Sequence, residues 1–178
     1  MEERNELAEG SPGHGHESLR PTFEQGLATL KDNVLRLGAL VERAVEQAAQ
    51  ALVERDVELA DQVRWEDAAV NELQRSINQE IAAIIARQGP VARDVRELLA
   101  LYHAAAELER MGDYATSIAK LAQQLAAEPE QPIFRQIPEM EQLCRSQLRA
   151  AMRALVDVSE QQAREVCAGD DELDHLYH

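Results

Sequence analysis

Aromatic side chains make up only 3% of this 178-residue sequence, and glycine (8) and proline (6) gather at a few points instead of spreading along it. With alanine, leucine, glutamate, glutamine and arginine dominant in their place, an all-β fold is excluded. The two cysteines, Cys144 and Cys167, sit in separate segments without C-x-x-C spacing. They therefore indicate neither a zinc site nor a disulfide framework, and read as free, partly buried thiols. No run approaches the roughly 18 apolar residues needed to span a bilayer. The opening "MEERNELAEG" lacks the apolar region of a secretory signal. Basic residues are outnumbered by acidic ones, 18 to 33, for a formal net charge of -15. Such a surface repels the phosphate backbone, so direct nucleic-acid binding is set aside. The expectation is a cytoplasmic protein that meets a membrane only through a protein partner. No P-loop, no glycine-rich nucleotide fingerprint and no Ser, His and Asp set placed for nucleophilic catalysis is present either, so an enzyme is not expected.

What is present is helical periodicity. The length suits one ordinary domain or two small ones. Residues 1–18, with "GSPGHGHES", read as a disordered tail, in which His14 and His16 are weak metal candidates. Leu27, Leu30, Val34, Leu37, Val41, Val45, Ala48 and Leu52 then recur at alternating spacings of three and four, the mark of a bundle seam. A second stripe runs Leu59, Val63, Val70, Leu73, Ile77, Ile81, Ile84 and stops before Gly89 and Pro90. The short connection at Arg55 and Asp56 predicts antiparallel neighbours. A third helix is predicted from about Val91 to Ala126, with Pro90 in its first turn. "AAEPEQPIFRQIP" cannot continue a helix, which places a linker at 128–138.

A shift of 103 residues lays "ALVERDVELADQVRWEDAAVNEL", from Ala51, over "ALVDVSEQQAREVCAGDDELDHLY", from Ala154, and pairs Ala60 with Ala163, Val63 with Val166 and Asp67 with Asp170 without a gap. The fold class expected is all-α: tandem three-helix bundles, one over 19–127 and a second, incomplete in this chain, over 139–178. The apolar stripe Leu143, Leu148, Ala151, Leu155 and Val158 must then be buried somewhere. A longer molecule that covers it is the favoured expectation, with the first bundle or another chain, and hence self-association, as the alternative.

In "ELERMGDYA" Glu109 and Asp113 stand four residues apart, where like charges repel by a few tenths of a kcal/mol. Helical geometry puts both within about 40° of the face of Val91, Val95, Leu98 and Tyr102. On the second helix Asp67 and Asn71 are also four apart, so the two oxygen pairs could converge as carboxylate metal sites in bundles do. Solvated acids, or acids paired with arginines such as Arg110, are the plainer alternative. The stretches "LERMGDYA", "IARQGPVARDVREL" and "WEDAAVNEL", with the opening "LRPTFEQGLATLKDNVLRLGALVERAVEQAAQAL", resemble the PhoU family of phosphate-uptake regulators, in order and over residues 19–178.

That resemblance implies two similar three-helix bundles whose E/D-x-x-x-D motifs bind metal ions, iron first, with manganese, magnesium or zinc as alternatives. It implies a metal set of Asp67, Asn71, Glu109 and Asp113, with Asp170 and Asp174 in the second unit. Asn71 departs from the usual acid, and an amide oxygen still ligates a hard cation with one negative charge fewer. The implied role is negative regulation of phosphate-starvation signalling, as an adaptor between the ATPase subunit of a phosphate ABC transporter and a sensor histidine kinase. A di-metal carboxylate enzyme is the rival, although the two acidic helices lack its Glu-x-x-His spacing. A metal-free helical adaptor is the other.

Overall fold

The computed structural model describes residues 14–129 and 135–169, with side chains from Arg20 onward. It contains α1 (His14–Glu54), α2 (Val57–Gln88), α3 (Ala92–Leu125), α4 (Ile137–Val156) and α5 (Glu160–Ala168). Among the described residues there is no strand. Helix α1 already begins at His14, inside the stretch expected to be a tail, and carries Pro21 in its interior.

The α1–α2 turn is made by Arg55 at φ 60 and by Asp56, whose side chain accepts a hydrogen bond from the Leu59 N–H at 2.9 Å and caps α2. The α4–α5 turn repeats it one period on. Val158 has φ 51, and the Ser159 hydroxyl accepts from the Gln162 N–H to cap α5. The closing backbone bonds are counterparts too, Asp56 N to Ala51 O and Ser159 N to Ala154 O, each 3.0 Å. Val158 thus belongs to a turn, and is exposed, rather than to the stripe in which its spacing placed it. Helix α2 ends at Gly89, whose φ of 52 only glycine adopts freely. Pro90 lies before the α3 N-cap, Val91, and not in the first turn. It blocks helix continuation just after the left-handed cap, a position prolines often fill. Pro138 does occupy a first turn, that of α4, where its missing N–H costs nothing.

The first three helices pack mutually as a three-helix bundle. Phe23, Leu30, Val34, Leu37 and Val41 of α1, Val70, Ile77, Ile81 and Ile84 of α2, and Leu98, Leu101, Ala105 and Leu108 of α3 form the larger core. A second cluster near the α1–α2 turn joins Ala48, Ala51, Leu52, Ala60 and Val63 to Ala115, Ala119 and Ala122 of α3. Small side chains there let three backbones approach closely.

Helix α4 lies against α1, where Leu148 and Met152 enter the larger core. Leu148 of the second unit's stripe is therefore buried on the first bundle. The reason is a fit: Met152 Cε, Cγ and Sδ lie 3.2 to 3.3 Å from where a side chain on Gly38 would begin. The counterparts of the alanine-rich cluster, Ala151, Ala154, Leu155, Ala163 and Val166, instead line a groove of roughly 1040 Å³ whose far wall includes Leu27, Lys31 and Leu101. Cys144 is half-buried and Cys167 exposed, both free. Burial, and secondarily Glu141, pushes the Cys144 thiol up in pKa. No helix among the described residues is long and apolar enough to cross a membrane.

Candidate functional site

The acidic motifs lie on α2, with Asp67 and Asn71, and on α3, with Glu109 and Asp113. The inward stripe of α3 runs Leu98, Leu101, Ala105, Leu108, Gly112, Ala115, Ala119 and Ala122. Val91 (63% exposed) and Tyr102 (42% exposed) lie outside it, so their face, used to place Glu109 and Asp113, is the rim of the seam rather than its interior. Accordingly Glu109 is half-buried and Asp113 exposed. The true stripe is carried by small residues, which spacing of the larger apolar side chains does not reveal.

Gly112 sits between the two acids and sets the approach. A Cβ on it would lie 3.2 Å from Val70 Cγ1 and 3.8 Å from Asp67 Oδ1, so the α3 backbone rests almost on α2 at this point. One turn further on, the Thr116 hydroxyl donates to Asp67 Oδ1 at 3.2 Å. Asn71 Nδ2 donates to Asp67 Oδ2 at 2.8 Å. Both oxygens of the half-buried Asp67 carboxylate are thereby held. The helices run antiparallel with Val70 level with Gly112, and the 1.5 Å rise per residue then sets Asn71 between the heights of Glu109 and Asp113. Two residues of this seam escaped the sequence reading. Thr116 gives no spacing signal. Gly112 does give one, since a glycine in mid-helix costs about 1 kcal/mol relative to alanine and calls for a packing reason.

Glu109 and Asp113 make no side-chain hydrogen bond or ion pair among the described residues. Arg110 does not neutralise them. It holds Glu107 at 2.9 Å, and its pKa is raised by Tyr114 first and Glu107 second. Asp170 and Asp174, the expected second-unit ligands, lie outside the described residues. As donors, three carboxylates and an amide fit a hard cation in kind. In number they are sparse: among the described residues no group of three or more His, Cys, Asp or Glu is gathered where it could hold one ion. The chemistry on offer is that of one oxygen pair on each of two neighbouring helices, with no nucleophile–base pair beside them among the described residues.

Fold and site together define a class, an all-helical repeat protein with an oxygen-lined seam between two helices of its first unit. The PhoU domain family model matches residues 34–122 and again 137–178, with starts 103 residues apart, the period of the internal repeat. The chain belongs to the PhoU family. It is similar to a phosphate-specific transport system accessory protein PhoU homologue of Clostridium acetobutylicum, 31% identical over 89% of this chain and 73% of the relative. It is also similar to one of Pseudomonas putida, 35% identical over 87% of this chain and 61% of the relative. Among solved structures, the crystal structure of PhoU from Pseudomonas aeruginosa superposes with a TM-score of 0.82 at 31% identity, over 87% of this chain and 75% of that one. The phosphate transport system regulatory protein PhoU from Streptococcus pneumoniae gives 0.80 at 29% identity, over 87% and 73%.

Proposed function

We propose that this protein regulates phosphate uptake as a non-enzymatic cytoplasmic adaptor, coupling the ATPase subunit of a phosphate ABC transporter to a sensor histidine kinase and holding the phosphate-starvation response off. The observation that carries the proposal is the double match to the PhoU domain at one period, together with 31% identity over 89% of the chain to a relative named as a phosphate-specific transport system accessory protein homologue. The test is expression in a bacterium deleted for its own PhoU protein and carrying a reporter of phosphate starvation. The expected result is repression at high phosphate. A folded, expressed chain that leaves the reporter fully on refutes the reading.

The second part of the proposal is that Glu109 and Asp113, with Asp67 and Asn71, hold a hard cation, iron first, with manganese, magnesium or zinc as alternatives. When bound, the ion supplies the positive charge that this like-charged pair lacks. Asn71 now offers its N–H to Asp67, and a half-turn of the amide exchanges that donor for its oxygen. Replacing both Glu109 and Asp113 by Ala keeps or slightly raises stability without metal, because it removes their repulsion. It also abolishes the stabilisation by added Mn²⁺, which for the parent is about 2.7 kcal/mol at one hundred times Kd. Thermal unfolding with and without Mn²⁺ measures both, and a double variant that still gains stability as the parent does refutes these ligands.

A further inference from the structure

Under the 103-residue repeat, position 42 corresponds to 145 and position 46 to 149, and at both the charge is inverted: Glu42 and Glu46 in the first unit, Arg145 and Arg149 in the second. The structure gathers all four at the α1–α4 contact. Glu42 Oε1 meets Arg149 at 2.6 Å and Arg145 at 3.2 Å, and Glu46 Oε1 meets Arg145 at 2.6 Å. Exchanging the two units turns the 42–149 contact into the 46–145 contact. Helices α1 and α4 therefore cross about a pseudo-two-fold axis that passes through this cluster. Glu141, one turn before Arg145 on α4, holds the same guanidinium at 2.9 Å and aims it at α1. Arg145 is 19% exposed and Glu42 22%, so the central pair is better covered than Glu46 at 49% or Arg149 at 52%.

A contact of this symmetry is close to isologous, in which like surfaces meet like. Charge tells α1 against α4 from α1 against the α1 of a second copy. Two α1 faces brought together the same way would set four carboxylates at the axis, and two α4 faces would set four guanidinium groups there. Only the unlike pairing alternates the signs. The size match follows the same asymmetry, since Met152, at i+7 from Arg145, fills the space over Gly38.

We propose that the outer face of α1 is a recognition surface for one kind of partner, an antiparallel helix with arginines at i and i+4 and a flexible apolar side chain at i+7. Its occupant is this chain's own α4, and the inverted signs at 42 and 46 against 145 and 149 enforce the pairing of unlike units. The use of this face is independent of phosphate regulation and of metal binding, so it stands or falls separately.

The test is a charge-exchange cycle on the full chain, read by amide hydrogen exchange resolved along the sequence. The two reversals are Arg145→Glu with Arg149→Glu, and Glu42→Arg with Glu46→Arg; the quadruple variant carries both. Each reversal alone is expected to speed exchange in α4 by about tenfold or more while Ile77, Ile81 and Leu98 in the α2–α3 core keep the parent's protection. The quadruple exchange, compared in parent and variants that all carry Glu141→Gln so that no carboxylate adjoins position 145 on α4, is expected to restore α4 because the signs again alternate. Reversals whose α4 exchanges as slowly as the parent's overturn the proposal. So does a quadruple variant as loose as the single reversals. Should a reversal unfold the whole chain, the quadruple variant still decides, since its recovery can come only from restored sign matching.

Discussion

Adding one methyl group at each of two helix-buried glycines separates two kinds of close packing. Alanine in place of glycine favours a helix interior by about 1 kcal/mol, so both Gly38→Ala and Gly112→Ala start from that gain. The neighbours then differ. At Gly38 the new Cβ meets Met152 Cε, Cγ and Sδ at 3.2 to 3.3 Å, atoms of an unbranched side chain with three rotatable bonds. Met152 can turn aside without moving a backbone, so most of the gain survives, about 0.5 kcal/mol or more. At Gly112 the Cβ meets Val70 Cγ1 at 3.2 Å, inside the optimum for two carbons of about 3.5 to 4.0 Å. Val70 is 3% exposed, and a valine in a helix has essentially one side-chain rotamer, so α2 and α3 must part. Overpacking of this sort costs about 1 to 3 kcal/mol, which cancels or exceeds the propensity gain. Gly38→Ala should therefore be more stable than Gly112→Ala by about 1 kcal/mol or more, a difference of some 2 to 4 °C in melting temperature for a chain of this size. Denaturant unfolding followed by circular dichroism gives both values. Equal stabilisation by the two substitutions would refute the claim that α3 rests on α2 at Gly112.

Three further outcomes follow from caps, backbone and charge. Asp56→Ala removes the acceptor of the Leu59 N–H and should cost about 0.5 to 2 kcal/mol in the same unfolding assay; no loss would mean the cap is idle. Val158→Gly relieves a β-branched residue at φ 51 and should stabilise by about 1 kcal/mol, with Val158→Ala short of that gain; a destabilised Val158→Gly would contradict the turn geometry. For Glu42, burial alone would raise the carboxyl pKa, but hydrogen bonds from Arg149 and then Arg145 outweigh it and hold it below the usual carboxylate range. A pKa depressed in the folded state contributes stability fully present above the ordinary value of about 4.3 and lost as pH falls through the lower folded value. The stability gap between parent and Glu42→Gln should accordingly be constant at neutral pH and shrink only below about pH 4; a gap that persists unchanged to full protonation would refute the pairing.

What the sequence determined by itself is what short-range chemistry controls. Apolar residues three and four apart can be buried only along one side of a helix, so Leu30, Val34, Leu37 and Val41 announce both the helix and its inward face. Gly89 and Asp56 end and begin helices through their own backbone and side-chain groups, and the repeat that pairs Ala51 with Ala154 reappears as matching turns at Arg55 and Val158. Only the tertiary structure decided which surfaces meet across long separations. That Thr116 reaches Asp67, that Gly112 lets two helices touch, and that the inner face of α3 is lined with alanines depend on how α2 and α3 lie against each other. The contact of Glu42 with Arg145 joins residues 103 positions apart, and no local spacing encodes it. Helix periodicity carries one angle per residue and so states which face is apolar. The partner of that face is chosen by fit and charge between side chains that become neighbours only once the chain has folded.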